Sequence, residues 1–485
     1  MDTTTNRIKR YFMKKILSIM IAVLLCSITF TSSAQQTRTD AFHDAYALQQ
    51  VVVLSRHNIR SPLSGPDSAL GRITPHKWFQ WSSAPSELSL RGGVLETMMG
   101  QFFRLWAERE GLFAHNAQPD ETEVRFYANS MQRTIATARY FSSGMFPVGN
   151  LPVEHHYPVG TMDPVFTPQI TTLSADYSAR AISQIANLFG GGSLEGIGQK
   201  VDSNILLAER VIDIAQSVAC TQGDTCHFNT DDTNILLQLN KEPAMTGGLK
   251  LACSVSDALV LQYYEQPNDS AAAFGHSITM EDWRRLSAIK DWYGDVLFTA
   301  PLVAINVAHP LLQEMLYELR TTRRFSFLCG HDSNIGSVLA ALGLNDYDLP
   351  GTIEHKTPIG SKLVIEKWLG TDGIYYASLN LCYQTPAQLR YQSLLDLDNP
   401  PMIYPICLKE LTPNADGLYL LTDLEALIED RIAQYDDLLN ETQSIPAEHA
   451  AVPSSQTTYT VMGQPVQPGT RHTLLVRPGQ TFYRQ

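Results

Sequence analysis

The run Gln-Val-Val-Val-Leu at residues 50–54 is followed by Ser-Arg-His-Asn-Ile-Arg-Ser-Pro at residues 55–62, and this stretch sets the architecture. An unbroken apolar run is typical of a strand that is buried on both faces. The strand would end where Arg56, His57 and Arg60 begin a turn. Because ligands of open α/β sheets bind outside the carboxyl ends of the strands, we expect a site at this turn.

Periodic apolar residues predict further strands and helices along the chain. The predicted strands are Val124–Ala128 and Phe325–Cys329, together with a hairpin pair, Lys362–Trp368 and Ile374–Tyr383. The predicted helices are Gly92–Glu110, Met131–Tyr140, Tyr177–Leu188, Asn204–Val218, Ser254–Glu265, Trp283–Val296 and Asn334–Leu342. Asn129 and Ser130 stand in the cap position of the helix that follows the strand Val124–Ala128.

The order of these elements predicts an α/β fold, in which an open mixed sheet is flanked by helices and accompanied by a second, mainly α-helical domain. Residues 35–150 and 300–435 would form the α/β core, and residues 151–299 the α-rich domain. Residues 436–485 would be a linker and a small β-like or disordered tail, because residues 444–458 are rich in Ser, Thr, Pro and Ala.

Charge limits the partners of the chain. It has 36 Lys and Arg residues against 49 Asp and Glu residues, which gives a formal net charge of −13 at pH 7. An acidic chain of this kind is a poor general binder of nucleic acid, so we expect no nucleic-acid partner. An anionic ligand would therefore need a local basic pocket.

Residues 1–34 are typical of a signal peptide for export, with a basic start at Lys14-Lys15, an apolar segment from Ile16 to Phe30 and small residues before Ala34. The residues before Met13 are typical of an upstream start. We therefore expect a periplasmic or secreted protein that has no stable membrane insertion after cleavage. An uncleaved membrane anchor is the alternative, although the apolar segment is shorter than the ~20 residues of a full span.

The seven cysteines include Cys26, which would leave with the signal. Export permits disulfides, and Cys220 and Cys226 flank a loop-forming stretch, so a local disulfide is predicted there. Cys329 lies within an apolar strand and would be a buried thiol. No cysteine pair has the spacing of zinc ligands, so no metal site is predicted.

The residues that follow the first strand have the chemistry needed to attack a phosphate ester. Arg56 and Arg60 present planar guanidinium groups, which chelate phosphoryl oxygens better than lysine would. His57 lies between them and is the candidate nucleophile. The alternative is that this basic motif occurs by chance on a surface turn.

Two other positions fit the same reaction. Arg133 begins the helix after a strand, where backbone amides also favour anions; alternatively it is a solvated helix arginine. His331 and Asp332 are adjacent, so the imidazole can donate to a phosphoryl oxygen while the carboxyl protonates the leaving oxygen, a role that a raised pKa would suit. Alone, Asp332 would be interpreted as an N-cap.

Arg-His-Xaa-Xaa-Arg-Xaa-Pro at residues 56–62 with His-Asp at residues 331–332 resembles the histidine acid phosphatases, the clade of the histidine phosphatase superfamily that includes bacterial phytases. The resemblance runs from about residue 50 to residue 435. The other motifs that stand in similar order are Thr74–Trp78, Arg91–Glu96, Tyr127–Ser130, Gly160–Pro164, Leu261–Glu265 and Thr357–Gly360.

The resemblance implies a phosphoglycerate-mutase-like core and a reaction in two steps. His57 would take the phosphoryl group as a phosphohistidine, Asp332 would protonate the leaving oxygen, and water would hydrolyse the intermediate. Metals and other cofactors are not required in this family. The phosphate-binding residues carried over are Arg56, Arg60, Arg133 and His331.

Asn58 departs from most members of that family, which have glycine at this position. Asparagine tolerates left-handed backbone angles better than other non-glycine residues, so the turn can survive. The side chain would add polar groups near the pocket, which makes Asn58 a candidate pocket residue. Together with Ser333, where phytases commonly have threonine, it points to the sugar-phosphatase subgroup.

We therefore expect an exported phosphomonoesterase whose substrate is a small phosphate ester, glucose 1-phosphate or a similar sugar phosphate. A broader-range phytase is the nearest alternative. A non-catalytic phosphosugar-binding protein is less favoured because both the nucleophile and the acid are present. A phosphohistidine mutase is disfavoured because export removes the protein from pools of phosphorylated metabolites.

Overall fold

The computed structural model describes residues 38–63, 68–444, 459–460, 473–477 and 480–484. The predicted signal, including Cys26, lies outside these residues, and so do residues 445–458 of the predicted linker. Contacts divide the chain into one unit that ends at Asp436 and a second that covers Asp437–Gln485.

An eight-stranded mixed sheet forms the centre of the first unit. Its strands are β1 (Tyr46–Arg56), β2 (Val124–Ala128), β3 (Val153–Glu154), β6 (Phe325–Gly330), β7 (Lys362–Gly370), β8 (Tyr375–Tyr383), β9 (Met402–Pro405) and β10 (Tyr419–Leu420), while β4 (Asn234–Leu236) and β5 (Ala244–Thr246) form a separate hairpin. The strand order is β10-β8-β7-β1-β6-β2-β3, with β9 also paired to β8. The residues Val51–Leu54 of β1 have no exposed surface, as the unbroken apolar run predicts.

The three strands that precede the polar motifs end at the same edge of the sheet. β1, β6 and β2 run parallel, and Arg56 pairs with Gly330 while Ala128 pairs with Cys329. β7 is antiparallel to β1 and begins at this edge, because its first residue, Lys362, pairs with Ser55. The turns after β1, β2 and β6 and the loop before β7 therefore meet.

Helices flank the sheet, and the helices α5 to α12 make up most of the chain between β3 and β6. They are α1 (Asp40–Ala45), α2 (Ala69–Arg72), α3 (Leu90–Arg109), α4 (Gln132–Met145), α5 (Ala175–Phe189), α6 (Glu195–Gln199), α7 (Asp202–Val211), α8 (Val218–Thr221), α9 (Gly248–Glu265), α10 (Asp269–Ala272), α11 (Met280–Phe298), α12 (Pro301–Arg320), α13 (Asp332–Leu342), α14 (Pro386–Tyr391) and α15 (Leu421–Ser444). No single helix among the described residues is long and apolar enough to cross a bilayer; α11 and α12 meet that test only as a pair bent by 85°.

Two glycines let α3 and α4 lie against each other on one face of the sheet. A Cβ atom at Gly100 would lie 2.1 Å from the carbonyl oxygen of Phe141, and one at Gly144 would lie 2.1 Å from that of Thr97. Both helices bury aromatic side chains in the core beside β2 and β6. This packing fixes the start of α4, and hence Arg133, at the edge where the strands end.

The structure confirms the predicted fold class and most of the predicted elements. The strands that precede the motifs, the hairpin of β7 and β8 and the Cys220–Cys226 disulfide are present, and Cys329 is a buried free thiol. The helix predicted over residues 204–218 is wrong, because α7 ends at Val211 and Asp213 adopts a left-handed conformation (φ 50°) before a 3-10 turn.

The prediction that Asn129 and Ser130 cap the following helix is also wrong. Met131 occupies the N-cap position and makes no side-chain cap hydrogen bond. The side chain of Asn129 is used elsewhere, in the site, and the hydroxyl of Ser130 accepts from the backbone N–H of Tyr157. The division of residues 35–435 into an α/β core and an α-rich domain stays a prediction.

The second unit contains a small antiparallel sheet in which β12 (Thr473–Arg477) lies between β11 (Tyr459–Thr460) and β13 (Gln480–Arg484). The register pairs Tyr459 with Val476 and Thr473 with Arg484. The predicted β-like element of the tail falls on these strands.

Candidate active site

His57 follows β1 directly, and its position is fixed by the neighbouring strand. Its backbone N–H donates to the carbonyl of Gly330 at 3.0 Å, and its side chain is buried. Nδ1 lies 2.9 Å from the carbonyl oxygen of Asn58. Because a carbonyl only accepts hydrogen bonds, Nδ1 carries the proton of the neutral ring and Nε2 keeps its lone pair. The ring is therefore in the tautomer that a nucleophile needs.

The electrostatic surroundings keep this imidazole uncharged. Burial lowers the pKa of His57 well below its ordinary value, and the positive charges of Arg133, Arg60 and Arg56 lower it further, with a contribution from His331. A neutral imidazole is the nucleophilic form, so these cations favour the reactive state of His57 as well as any anion beside it.

Arg56 is buried and held by acidic and main-chain oxygens. Its Nη1 donates to Oε1 of Glu354 at 2.7 Å and to the carbonyl of Thr357 at 2.5 Å. Its Nη2 lies 3.2 Å from Oδ2 of Asp332. Glu354 is fully buried and also lies 3.1 Å from Nζ of Lys290. Arg56 is thus oriented by a buried carboxylate from the loop before β7, and it links the first strand to Asp332.

Arg60 and Arg133 complete a group of cations around His57. Nη2 of Arg60 lies 3.1 Å from Oδ2 of Asp257, which belongs to α9. Burial, together with the charge of Arg60, lowers the pKa of Arg133 to about 10. Two guanidinium groups that repel each other in a partly buried place favour the binding of an anion between them.

Three of these arginines share an unusual feature. Among the described residues, the Nε–H groups of Arg56, Arg60 and Arg133 are buried and have no hydrogen-bond partner. Buried donors without a partner cost about 1–3 kcal/mol each and point to a missing acceptor. Arg91 and Arg390 share the feature, but the arginine charges that act most strongly on the pKa of His57 are those of Arg133, Arg60 and Arg56. The three donors beside His57 therefore suit an anion that carries several oxygens.

His331 follows β6 and faces His57, with the ring centroids 5.4 Å apart in an edge-to-face arrangement. Oδ1 of Asn129 accepts from the backbone N–H of Asp163, so the amide nitrogen of Asn129 is the donor that reaches Nε2 of His331 at 2.7 Å. Burial, followed by the charge of Arg133, lowers the pKa of His331 well below its ordinary value. The ring is held in place from the β2 end and is uncharged.

Asp332 is the first residue of α13, and His331 occupies the N-cap position, so the interpretation of Asp332 as a helix cap is wrong. Partial burial by itself favours the neutral acid, but the charges of Arg56 and Lys290 hold the pKa of Asp332 well below its ordinary value. The expected raised pKa is therefore wrong for the ligand-free site. An anion bound among the arginines would offset their charge and raise this pKa.

Asn58 does not line the pocket, so the prediction that it contributes polar groups there is wrong. Its side chain is fully buried, and it donates to Oε1 of Glu96 at 2.7 Å and accepts from the backbone N–H of Ile59 at 2.8 Å. It is also absent from the residues with left-handed backbone angles. Glu96 lies 3.1 Å from Nζ of Lys362, so Asn58 joins the turn after β1 to a buried ion pair.

A pocket of about 950 Å³ opens beside these groups and extends between the sheet edge and the helices. His57, Arg60, Arg133, His331 and Asp332 line it, so the structure brings together the side chains predicted for catalysis and phosphate binding. Arg56 contacts the pocket through Asp332.

Sequence reasoning missed the residues that orient the site from remote segments. Glu354, Lys290 and Asp257 lie outside the motifs that carry the resemblance, although Glu354 comes three residues before Thr357–Gly360 and Asp257 four residues before Leu261–Glu265. Asn129 is the exception: it follows the end of β2, where a polar side chain belongs to the sheet edge as readily as to a helix cap. The strand-end position was the signal that could have placed Asn129 in the site.

Comparisons with known proteins agree with this geometry. The sequence profile of the histidine phosphatase superfamily, branch 2, matches residues 47–379. Glucose-1-phosphatase of Providencia rettgeri is 34% identical over 428 residues, which cover 87% of this chain and 99% of the relative. Glucose-1-phosphatase of Salmonella typhimurium is 36% identical over 403 residues, which cover 82% of this chain and 95% of the relative.

Among solved structures, the apo form of the Hafnia alvei phytase superposes with a TM-score of 0.72 at 26% identity, covering 80% of this chain and 97% of the phytase. The chain has the motif, the sheet-edge site and the profile of one family. It therefore belongs to branch 2 of the histidine phosphatase superfamily.

Proposed function

We propose that this protein is an exported phosphomonoesterase that hydrolyses glucose 1-phosphate and similar sugar phosphates through a phosphohistidine at His57. The observation that carries the proposal is the set of buried Nε–H donors on Arg56, Arg60 and Arg133, arranged around a neutral imidazole whose Nε2 bears a lone pair. A phosphoryl group supplies the oxygens that these donors lack, and its phosphorus atom is the electrophile that the imidazole attacks.

In the first step, Nε2 of His57 forms a bond to phosphorus while the bond between phosphorus and the ester oxygen breaks. The leaving oxygen takes a proton from Asp332, and the arginines stabilise the negative charge of the phosphoryl oxygens. The Nδ1–H bond to the carbonyl of Asn58 stabilises the positive charge that the ring acquires.

The proton on Asp332 arrives with the substrate. The second pKa of a phosphate monoester is about 6, so the monoanion that predominates in acid carries one proton into the site. The bound anion also offsets the charges of Arg56 and Lys290, which keep Asp332 ionised in the free protein. The acid is thus formed when the substrate binds.

In the second step, water attacks the phosphohistidine and Asp332 acts as the base. A proton passes from water to the carboxylate, a bond forms between oxygen and phosphorus, and the bond between Nε2 and phosphorus breaks. Inorganic phosphate leaves, and His57 regains its lone pair. Asp332 lies 3.2 Å from Arg56, and this ion pair holds the carboxyl beside a phosphate-binding arginine in both steps.

The charge of the pocket supports a substrate with a single phosphate. Two of the curated relatives are glucose-1-phosphatases, whereas the superposed structure at lower identity is a phytase. The basic lining residues are Arg60, Arg133, Lys250, Lys290, Lys356 and Lys409, and the acidic ones are Glu242, Asp257, Asp291, Asp295, Asp332 and Asp346. Burial raises the pKa of Asp295 to about 7 and also raises the pKa of Glu242, so in acid these two side chains add little negative charge to the lining. The other acidic residues favour a monophosphate, since inositol hexakisphosphate would place its remaining phosphates beside carboxylates.

A panel of substrates tests this choice. We expect a larger kcat/KM for glucose 1-phosphate than for inositol hexakisphosphate at the same acidic pH and salt. A much larger value for the hexakisphosphate would establish the phytase alternative. Labelled transfer to added glucose, in place of release of inorganic phosphate, would establish the mutase alternative.

Rapid quenching tests the intermediate. Wild-type protein mixed with labelled glucose 1-phosphate and worked up in alkali should retain an acid-labile, alkali-stable label. His57→Ala should retain none, whereas His331→Ala should still be labelled because the nucleophile is intact. Label that persists in His57→Ala would place the covalent intermediate on another residue.

Leaving-group dependence tests the acid. Asp332→Asn should slow hydrolysis of glucose 1-phosphate by about 10²–10⁴-fold, the range of general acid catalysis. An aryl phosphate with an acidic phenol should be affected far less, because its leaving oxygen needs no proton. Equal losses on both substrates would remove Asp332 from this role.

A further inference from the structure

A second group of ionisable side chains lies outside the pocket described above. His76, Asp213 and His276 come from three separate segments, and their side chains converge. Nε2 of His76 lies 2.7 Å from Oδ2 of Asp213, and Nε2 of His276 lies 3.0 Å from the same oxygen. None of the three residues lines the pocket or takes part in the phosphoryl-transfer steps.

The donor atoms have nearly the separations of a metal site. All three lie within 4.8 Å of one another. A tetrahedral zinc site with bonds of about 2.0–2.2 Å holds its ligand atoms about 3.3–3.6 Å apart. An ion that enters between the two imidazoles and the carboxylate therefore requires each histidine nitrogen to move a few tenths of an ångström away from Asp213. The two nitrogens, which are at most 4.8 Å apart, must approach each other by no more than about 1.5 Å. Rotation of the side chains supplies movements of this size.

The surrounding structure holds these side chains while leaving a path for an ion. The ring of His76 stacks on Phe274, with the ring centroids 4.9 Å apart and the planes at 8°. The backbone N–H of His76 donates to Oγ1 of Thr74 at 3.1 Å. The side chains of His76 and His276 are each 29% exposed, and that of Asp213 is 24% exposed. Water, and an ion carried by water, can therefore reach all three.

We propose that His76, Asp213 and His276 bind a divalent transition-metal ion, with Zn²⁺ as the reference ion. Two imidazoles and one carboxylate are ligands that zinc and the neighbouring divalent ions accept, and solvent would complete the coordination. Each histidine moves its proton from Nε2 to Nδ1 through solvent as the ion binds. Within the described part of the chain, the ring hydrogen bonds of both histidines use Nε2, so Nδ1 has no partner to lose. The carboxylate of Asp213 binds without loss of a proton.

The ion would have a structural effect. It would connect the loop before α3, the turn between α7 and the 3-10 helix Ile214–Gln216, and the segment between α10 and α11. Binding to the folded state alone raises stability according to RT ln(1 + [L]/Kd), which is about 2.7 kcal/mol at a ligand concentration one hundred times Kd. We therefore expect the ion to raise the midpoint of thermal unfolding and to leave basal phosphatase activity unchanged.

Cobalt substitution tests the site directly. The full-length protein, cleared of metal with a chelator and kept free of phosphate, is titrated with Co²⁺ while visible absorption is recorded, and with Zn²⁺ in a calorimeter. We expect one tight site, visible bands of a four- or five-coordinate Co²⁺ ion, and a higher unfolding temperature with Zn²⁺.

Three variants locate the ligands. His76→Ala and His276→Ala should each weaken binding by about 100-fold or more, because loss of a ligand exceeds the 10–100-fold effect of losing an outer partner. The control is His227→Ala, which removes another histidine paired with a carboxylate, Glu209 at 2.8 Å, and should bind normally. Phosphatase activity and the far-ultraviolet spectrum show whether each variant is folded.

Two results would overturn the proposal. Tight binding that survives in both His76→Ala and His276→Ala would place the ion elsewhere. Lack of binding by wild-type protein at millimolar Zn²⁺ or Co²⁺ would show that the cluster is only a hydrogen-bonded ion pair. A folded His276→Ala that no longer binds, beside a His227→Ala that does, would establish the site.

Discussion

Arg125 and Arg133 belong to neighbouring elements of the same strand–helix unit, but their surroundings are opposite. Arg125 lies on β2, and its guanidinium contacts the carboxylates of Glu154, Glu314 and Glu318. Arg133 lies on α4, where its buried Nε–H has no partner among the described residues. The guanidinium group of Arg125 thus has several carboxylate acceptors, whereas that of Arg133 lacks an acceptor for its Nε–H in the part of the chain that the structure describes.

The difference is visible in the charge balance. Although burial lowers the pKa of Arg125, hydrogen bonds to Glu314 and Glu318 raise it above its ordinary value. Burial and the charge of Arg60 lower the pKa of Arg133 to about 10. An arginine whose positive charge is fully compensated by carboxylates is typical of a structural ion pair. An arginine whose charge is incompletely compensated is typical of an anion-binding site.

The largest expected effect is the loss of the nucleophile beside the uncompensated arginines. His57→Ala should lower kcat for glucose 1-phosphate by on the order of 10⁴–10⁶, as the removal of a covalent nucleophile does elsewhere. Steady-state rates, with circular dichroism as a check of folding, measure the effect. Retention of a tenth of the activity in a folded variant would mean that the arginines serve another group.

Removing the compensated arginine should cost stability. Arg125→Ala leaves Glu318 buried with fewer positive partners, and breaking such a pair costs about 3–5 kcal/mol. Urea unfolding monitored by fluorescence gives the change in the free energy of unfolding. Arg104→Ala is the matched control: it removes a surface pair with Glu108 and should cost less than about 1 kcal/mol. Equal losses in the two variants would contradict the comparison.

Removing Arg133, the arginine without carboxylate partners among the described residues, should lower activity and leave stability intact. Arg133→Ala should lower kcat/KM by about 10²–10³-fold, the range for the loss of one transition-state donor. Its free energy of unfolding should be unchanged or higher, since a repelled, buried cation is gone.

Thermal unfolding with inorganic phosphate separates the two arginines further. Phosphate should raise the unfolding temperature of wild-type protein and of Arg125→Ala, and should raise that of Arg133→Ala much less. A stabilising response to phosphate that is the same in Arg133→Ala as in the wild type would show that this arginine does not bind the anion.

The smallest expected effect concerns pH. Because burial and the arginines lower the pKa of His57, the folded protein binds fewer protons than the unfolded chain below about pH 6.5. This contribution to stability is present above that pH and is lost as the pH falls, by up to about 1.4 kcal/mol per pH unit.

Unfolding in urea at several pH values measures the dependence. His57→Gln should show a flatter decline of the free energy of unfolding below pH 6.5 than the wild type, because one suppressed proton site is absent. The activity of wild-type protein should persist below that pH, since the nucleophile stays neutral. Parallel stability profiles for the two proteins would show that His57 titrates normally.

The strands and the motif residues were predictable because each is encoded in a contiguous stretch. The apolar run before Arg56 predicts a buried strand, and parallel strands bring their ends to one edge, so His57 and Asp332 meet without further information. Charged partners such as Glu354 and Lys290 were not predictable, because each reaches Arg56 or Asp332 from a distant segment. Only the assembled structure pairs them.

The errors arose where tertiary contacts override local preference. Asn129 has the composition of a helix cap, yet it donates to His331 across the sheet edge. The helical pattern that continues past Val211 is interrupted at Asp213, whose left-handed backbone ends the helix. Asn58 was assigned to the pocket because of its position in the motif. Its side chain instead donates to the buried carboxylate of Glu96, away from the pocket. For the two asparagines, a long-range partner decided the outcome.

The tautomer of His57 depends on a main-chain oxygen, the carbonyl of Asn58 at 2.9 Å. In enzymes that orient a histidine with an aspartate, one codon change deletes the orienting group. Here the acceptor is a backbone carbonyl, which every amino acid at position 58 supplies as long as the backbone keeps its conformation. A substitution at this position can therefore alter the packing against Glu96 and still leave the lone pair on Nε2 of His57.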